Sequence, residues 1–296
     1  MKRAIAFIGI VLIAAAGIYF AQRRQRNAPV SANPMVDIVA DVQRDVTRVP
    51  MKMTRISDEQ EIRIGDELAA RYAENVAGFT PEQAAMQQYA QKVGGKLAAR
   101  SHRKLPYKFH LVTDENLINA FALPGGHVYI GTGMLDMMTS EDELAAVLGH
   151  EIEHVDHYHC VERVQVEAHL RRVDLEVLGD LAQIPLSVWQ TGYNKDEELE
   201  ADREGMRLAV AAGYSPYGAV KMFERLAKLH SEYVVHAKSP EQELSEVAIQ
   251  GLSGYFRSHP LPSERLAQAN SIIREEHWQS RKELTPFRIE YEVKAN

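Results

Sequence analysis

Residues 150–154 read His150-Glu151-Ile152-Glu153-His154, within a stretch whose apolar residues recur at helical spacing. Two helical residues four apart leave the same face one turn apart, so His150 and His154 bring both imidazoles to one point. Such a pair is half of a zinc site, and Glu151 then sits beside the water that a bound ion would hold. The pattern also restricts the fold around it. Stepping about 100° per residue from Leu144, the side chains of Leu144, Val147, Leu148, Ile152 and Val155 fill one apolar arc, with His150, His154 and His157 just beside it. The helix therefore lies against a core, with the histidines at a cleft on its edge. Glu151 falls inside the apolar arc, where a lone carboxylate is costly unless something such as a divalent cation compensates it. Glu153 projects to the opposite side and is expected to be a solvated charge. Ser140 with Glu143 three residues later forms a capping box that opens this helix.

Hydrolytic zinc usually takes three protein ligands and leaves a fourth position for water. Downstream carboxylates are abundant at Asp196, Glu197, Glu198, Glu200, Asp202 and Glu204, so geometry must choose among them. On a helix over 196–212, Glu198, Asp202, Gly205 and Ala209 share a stripe that joins two carboxylates to residues small enough to admit another helix. Glu197, Glu200 and Glu204 point away, toward solvent. Glu198 is thus the expected third ligand, and Asp202, one turn on, the expected acceptor for the outer nitrogen of His150. An extended ligand pattern would need a histidine ten residues after His150, and Cys160 stands there instead. His157 lies too far along the same helix to complete a tetrahedron, and His157 and His159 read as solvated or outer-sphere residues, outside the ligand set. The bland alternatives are a surface helix carrying two histidines by chance and a merely acidic amphipathic helix.

A chain of 296 residues with 45% hydrophobic content can bury one sizeable core. Its net charge of -7 is spread over mixed-sign segments with no basic stripe, which argues against nucleic acid as a partner. The single cysteine, Cys160, rules out an internal disulfide, and no cysteine follows the apolar N-terminal run to accept a lipid. From Ala4 to Ala21 there is no charged side chain, and Lys2, Arg3, Arg23, Arg24 and Arg26 flank the run. Its length just suffices to cross a bilayer, so residues 1–26 read as a single uncleaved membrane anchor, with a cleavable signal peptide as the rival. The flanking arginines lean slightly toward a cytoplasmic catalytic domain. Residues 27–55, with Pro29, Pro34 and Pro50, read as a linker, 56–275 as the folded domain and 276–296 as a tail. Within the domain, Ser57 caps a helix to about Tyr72 and Pro81 opens another to about Ala99. Tyr107–Val112 and Gly126–Gly131 are strand candidates, and 161–193 reads as mainly packed helix that shields the site. Phe287, Ile289, Tyr291 and Val293 alternate at period two as a candidate edge strand.

Several motifs now stand in order: Asn119-Ala120-Phe121-Ala122-Leu123-Pro124-Gly125-Gly126, Val128-Tyr129-Ile130-Gly131-Thr132-Gly133, the pentad with His159 after it, Glu198-Leu199-Glu200-Ala201-Asp202, and Ser258-His259-Pro260 with Glu264-Arg265. In these the chain resembles the zinc metallopeptidase family of HtpX, the BepA-type periplasmic proteases and the CaaX prenyl proteases, over most of 56–275. The resemblance implies a mostly helical α+β zincin-like domain with a small β-sheet, preceded here by one transmembrane helix, and one Zn²⁺ per chain. The family's third ligand, the first Glu of Glu-x-x-Ala-Asp, is Glu198, in agreement with the angular argument. It further implies that an edge strand near Gly126 to Ile130 pairs with an extended substrate, making Gly126, Val128 and Tyr129 substrate-binding residues; a plain turn is the other reading of Pro124-Gly125-Gly126. His259 is placed near the metal, steadying the oxyanion or controlling access, with Arg265 in support on the substrate side. A single anchor argues against prenylated-peptide processing in a membrane chamber. The expectation is a tethered endopeptidase of unfolded or membrane-associated proteins with Glu151 as general base, in the inner membrane and, against the charge lean, facing the periplasm. The alternatives are a zinc-stabilised chaperone or assembly factor with little proteolysis, and a metal-dependent hydrolase of something other than peptides.

Overall fold

The structure, a computed structural model, describes residues 56–73, 78–175, 178–190, 192–236, 259 and 261–287. The expected anchor and linker, and Ile289, Tyr291 and Val293 of the tail, lie outside the described residues. So do Ser258 and Pro260.

Helix α1 (Asp58–Ala73) starts where its cap predicts, with Ser57 Oγ accepting from the Gln60 N–H and Gln60 Oε1 accepting from that of Ser57. Helix α2 (Pro81–Ala98) begins with Thr80 and Gln83 in a capping box and Pro81 in its first turn. Three strands follow: β1 (Lys108–Val112), β2 (Ala120–Leu123) and, after a 3-10 turn at Pro124–Gly126, β3 (His127–Gly131). Their order is β1-β3-β2, with β3 parallel to β1 and antiparallel to β2. This corrects the expectation of an edge strand at Gly126 to Ile130. β3 is the central strand, buried along its whole length, and its ladder groups are taken on both sides. Pro124-Gly125-Gly126 is the turn joining β2 to β3. Gly125 (φ 76°) and Gly126 (φ 95°) supply its left-handed backbone, and Gly125 N–H donates to the buried Glu61 of α1 at 3.0 Å.

Side-chain alternation gives the sheet two apolar faces. Phe109, Leu111, Val128 and Ile130 join one cluster with Val93 and Leu97 of α2 and with Leu144, Leu148 and Ile152. Phe121, Leu123 and Tyr129 join the other with Ile64 and Leu68 of α1 and with Leu181, Ile184 and Trp189. After the short α3 (Thr132–Asp136) comes α4 (Glu141–Asp156), opened by the Ser140–Glu143 box as expected. Arg225 Nε also donates to Glu143, at 2.6 Å. The described part of the tail pairs with the segment that enters α4. Thr285 O accepts from Glu141 N–H at 2.8 Å, Phe287 N–H donates to Thr139 O at 3.1 Å, and Pro286 bridges Ser140.

Helix α5 (His159–Arg171) is the α-helical part of the 161–193 stretch. Beyond it the described residues form 3-10 turns at Leu178–Gln183 and Leu186–Val188, because Gly179, Pro185 and Gly192 interrupt the period that the apolar residues suggest. Among the described residues three more helices follow: α6 (Lys195–Ala211), α7 (Tyr217–His236) and α8 (Pro262–Glu275). The observed class is a mostly helical α+β domain with a three-stranded mixed sheet. No helix among the described residues is long and apolar enough to cross a membrane.

Candidate metal centre

α4 and α6 meet backbone to backbone. A Cβ on Gly149 would stand 2.9 Å from Gly205 O, and one on Gly205 only 2.7 Å from the His150 nitrogen. This close approach brings the expected ligands together. His150 Nε2 lies 3.0 Å from His154 Nε2 and 3.4 Å from Glu198 Oε2, and His154 Nε2 lies 3.8 Å from Glu198 Oε1. A tetrahedral zinc with bonds of about 2.0 Å sets its ligand atoms about 3.3 Å apart, so the triangle has the right size. All three side chains are buried.

Their outer contacts fit the same ion. His150 Nδ1 donates to Asp202 Oδ1 at 2.9 Å, which leaves the Nε2 lone pair facing the triangle. Asp202 is clamped by Arg265, Nε to Oδ2 at 2.8 Å and Nη2 to Oδ1 at 2.5 Å. Burial works to raise the Asp202 carboxyl, but Arg265 and His150 outweigh it and hold the group below the usual range. His154 Nδ1 stands 2.9 Å from His159 Nδ1; when His154 is the donor its inner nitrogen is also a free acceptor. Two imidazole lone pairs and a carboxylate converging in a buried place are unfavourable unless a cation sits among them. Without one, Asp202 and Glu198 overcome the effect of burial and raise His150 to about 9. Burial and the neighbouring His150 press His154 well below its ordinary value. Glu198 is also buried, yet His259, His150 and His154 hold it well below the carboxylate range. Its Oε1 accepts from Tyr193 N–H at 2.8 Å.

Glu151 is 4% exposed, and burial lifts its carboxyl to about 7 although His150 pulls the other way. It borders a cleft that His150, Val147, Met206, Met222 and Phe223 also line. His259 packs into the centre, with Nδ1 2.5 Å from Glu198 Oε2 and its ring 5.6 Å from that of His150. Arg265 is likewise buried, engaged with Asp202 and lying over the Phe223 ring. Val128 and Tyr129 point to opposite core faces and Gly126 sits in the turn, whereas Asn119 and Ala120 at the start of β2 line the cleft.

Two charge assignments are corrected. Glu153 is 2% exposed, not solvated, because the far side of α4 faces the chain as it turns into α5 and toward Glu204 of α6. His157 Nε2 lies 3.2 Å from Glu153, and burial raises that carboxyl. Glu197 is buried too, its carboxylate turned back to the Asn194 N–H in the capping box of α6. Glu200 is half-exposed as expected, 3.4 Å from His159 Nε2. Of the two alternatives for His159, solvated or outer-sphere, the structure has the second: it is buried against His154. The Tyr193 ring, which stacks on His154 at 4.0 Å, has no signal in the sequence, because it sits in a loop with no period.

Comparison with known proteins agrees with this geometry. The chain is 29% identical over 238 residues to the beta-barrel assembly-enhancing protease of Yersinia pestis, covering 73% of this chain and 44% of that protein. It is 30% identical over 168 residues to the mitochondrial metalloendopeptidase OMA1 of Arabidopsis thaliana, covering 54% of this chain and 31% of that one. It is 33% identical over 134 residues to the metalloprotease LoiP of Escherichia coli (strain K12), covering 42% and 52%. The chain thus spans less than half the length of the first two. Residues 81–273, about two thirds of the chain and including the ligand triangle, match peptidase family M48, a family of zinc metalloendopeptidases, and the chain belongs to it.

Proposed function

We propose that the protein is a membrane-tethered zinc endopeptidase that cleaves unfolded or misassembled proteins. His150, His154 and Glu198 would hold the ion and Glu151 would act as general base. The observation that carries this reading is the buried Glu151 beside a ligand triangle of zinc dimensions. A bound Zn²⁺ would polarise the scissile carbonyl and acidify its water. Glu151, its carboxyl raised by burial toward the working pH, would accept a proton from the attacking water and deliver it to the leaving amine. Asp202 fixes the tautomer and ring of His150, and Arg265 fixes Asp202. His259, against Glu198, is placed to steady the oxyanion or control access to the open position. An extended substrate is best matched to β2, whose first residue lines the cleft, in place of β3. The names of the relatives support a quality-control role, and the uncharged run from Ala4 to Ala21 supports a membrane anchor; the periplasmic side, set against the lean of the flanking arginines, rests on the family resemblance.

The test is cleavage of denatured casein by the full chain, with and without chelator, compared with Glu151→Gln. Cleavage that needs zinc and is lost in the variant is expected. Undiminished turnover by the variant would refute the assignment, and a binding-only role would leave the variant's biological activity intact.

A further inference from the structure

On the α1 face of the sheet, away from the metal helix, a second pair of imidazoles converges. His110 of β1 is in register with Tyr129, and His127, two residues earlier on β3, projects from the same face. His110 Nε2 lies 3.0 Å from His127 Nδ1. On the outer side, His127 Nε2 donates to Asp66 Oδ1 of α1 at 2.9 Å, and Lys108 Nζ reaches the same oxygen at 2.8 Å. These distances repeat those of the metal centre. There too two inward nitrogens stand 3.0 Å apart, and a carboxylate takes the outer nitrogen of one ring at 2.9 Å.

From this repetition we propose that His110 and His127 form a second, weaker zinc site bridging β1 and β3, with Asp66 as its orienting carboxylate. The tautomer follows from the contacts. Because His127 donates through Nε2, its Nδ1 carries a lone pair toward His110. His110 Nε2–H donates to that lone pair at 3.0 Å; shifting this proton to Nδ1, the other nitrogen of the part-exposed ring, frees Nε2 for a metal, and burial keeps that imidazole uncharged at neutral pH. The His110 ring stacks on Tyr129 at 4.5 Å, which closes one side, and solvent on the exposed side completes the coordination shell. Asp66 sits on the outer nitrogen, so the site has two direct protein ligands and neither is anionic. Its affinity is accordingly lower than that of the three-ligand centre. A borderline divalent ion such as Zn²⁺ is the class that two imidazoles select. Because Asp66 belongs to α1 and both histidines to the sheet, occupancy would fasten α1 to the sheet.

The test is zinc stoichiometry of the full chain by equilibrium dialysis against Zn²⁺ alone. The wild type should take up two ions, one of them removed by a mild chelator that leaves the other. His110→Ala, a part-exposed position, should take up one ion, the tight one. Asp66→Asn should keep both, the weaker at least about tenfold weaker, the usual effect of losing an outer-sphere partner. One ion per wild-type chain at saturation, or two in His110→Ala, overturns the proposal. Loss of the tight ion in His110→Ala also overturns it, because the two sites would then not be separate.

Discussion

Replacing Gly205 with alanine tests whether the contact between α4 and α6 sets the metal geometry. The new Cβ would lie 2.7 Å from the His150 nitrogen and 2.9 Å from the Gly149 carbonyl carbon, both backbone atoms that cannot swing aside. Relief requires the helices to part by about 0.7 Å, from 2.7 Å to the 3.4 Å at which ordinary contact begins. Glu198 rides on the same helix two turns earlier, so the shift reaches the ligand triangle, where zinc tolerates departures of only about 0.2 Å. Alanine improves helix propensity by about 1 kcal/mol, whereas overpacking costs about 1–3 kcal/mol. The net expectation is a loss of up to about 2 kcal/mol in stability, together with zinc affinity weakened at least about tenfold. Thermal unfolding of the metal-free chain and competition with a chromophoric chelator measure the two effects separately. A variant that melts higher than wild type and holds zinc as tightly would show that propensity wins and that the contact does not position the ligands.

Glu151→Gln should retain zinc yet lose about 10²–10⁴-fold in peptide turnover. Its metal-free form should be more stable than wild type at neutral pH, because the fold raises the Glu151 pKa from 4.5 to about 7 and stability drains as pH climbs through that window. A pH series of unfolding midpoints checks the sign. Glu198→Ala should release zinc far more readily than Glu200→Ala in a chelator titration, and equal losses would break the ligand choice. His159→Ala should weaken zinc about 10–100-fold by freeing the outer nitrogen of His154, and the same titration reads it. For Glu143 burial works upward, but Arg225 and Thr139 outweigh it and depress the carboxyl below 4.5. Its contribution is therefore present above that value and fades as pH falls through the depressed one. Glu143→Gln, which keeps the cap, should be less stable than wild type at neutral pH, with the gap closing in acid.

The helices that carry the site were readable because their signals are local. Ser140 with Glu143, Ser57 with Gln60, and Pro81 each announce a helix start within four residues, and the spacing of His150, His154, Glu198 and Asp202 follows from the helical period alone. What the sequence hid depends on neighbours. β2 is four apolar residues with no alternation, so it gives no strand signal and the sheet order, with β3 in the centre, is not legible. Glu153 and Glu197 look solvated on a helical projection, which treats the side away from the main core as water. In the fold, His157 covers one and the other turns back onto its own cap. Tyr193 reaches the metal centre from a loop whose path only the assembled domain defines.

The order of the pieces along the chain matters for how the site is armed. His150 emerges first on α4, Asp202 52 positions later on α6, and Arg265 a further 63 positions on, at the start of α8. A growing polypeptide that has released only α4 offers two donors, and one that stops before α8 leaves Asp202 without the cation that clamps it. The ligand triangle and the clamp on Asp202 are therefore complete only after most of the domain has been made.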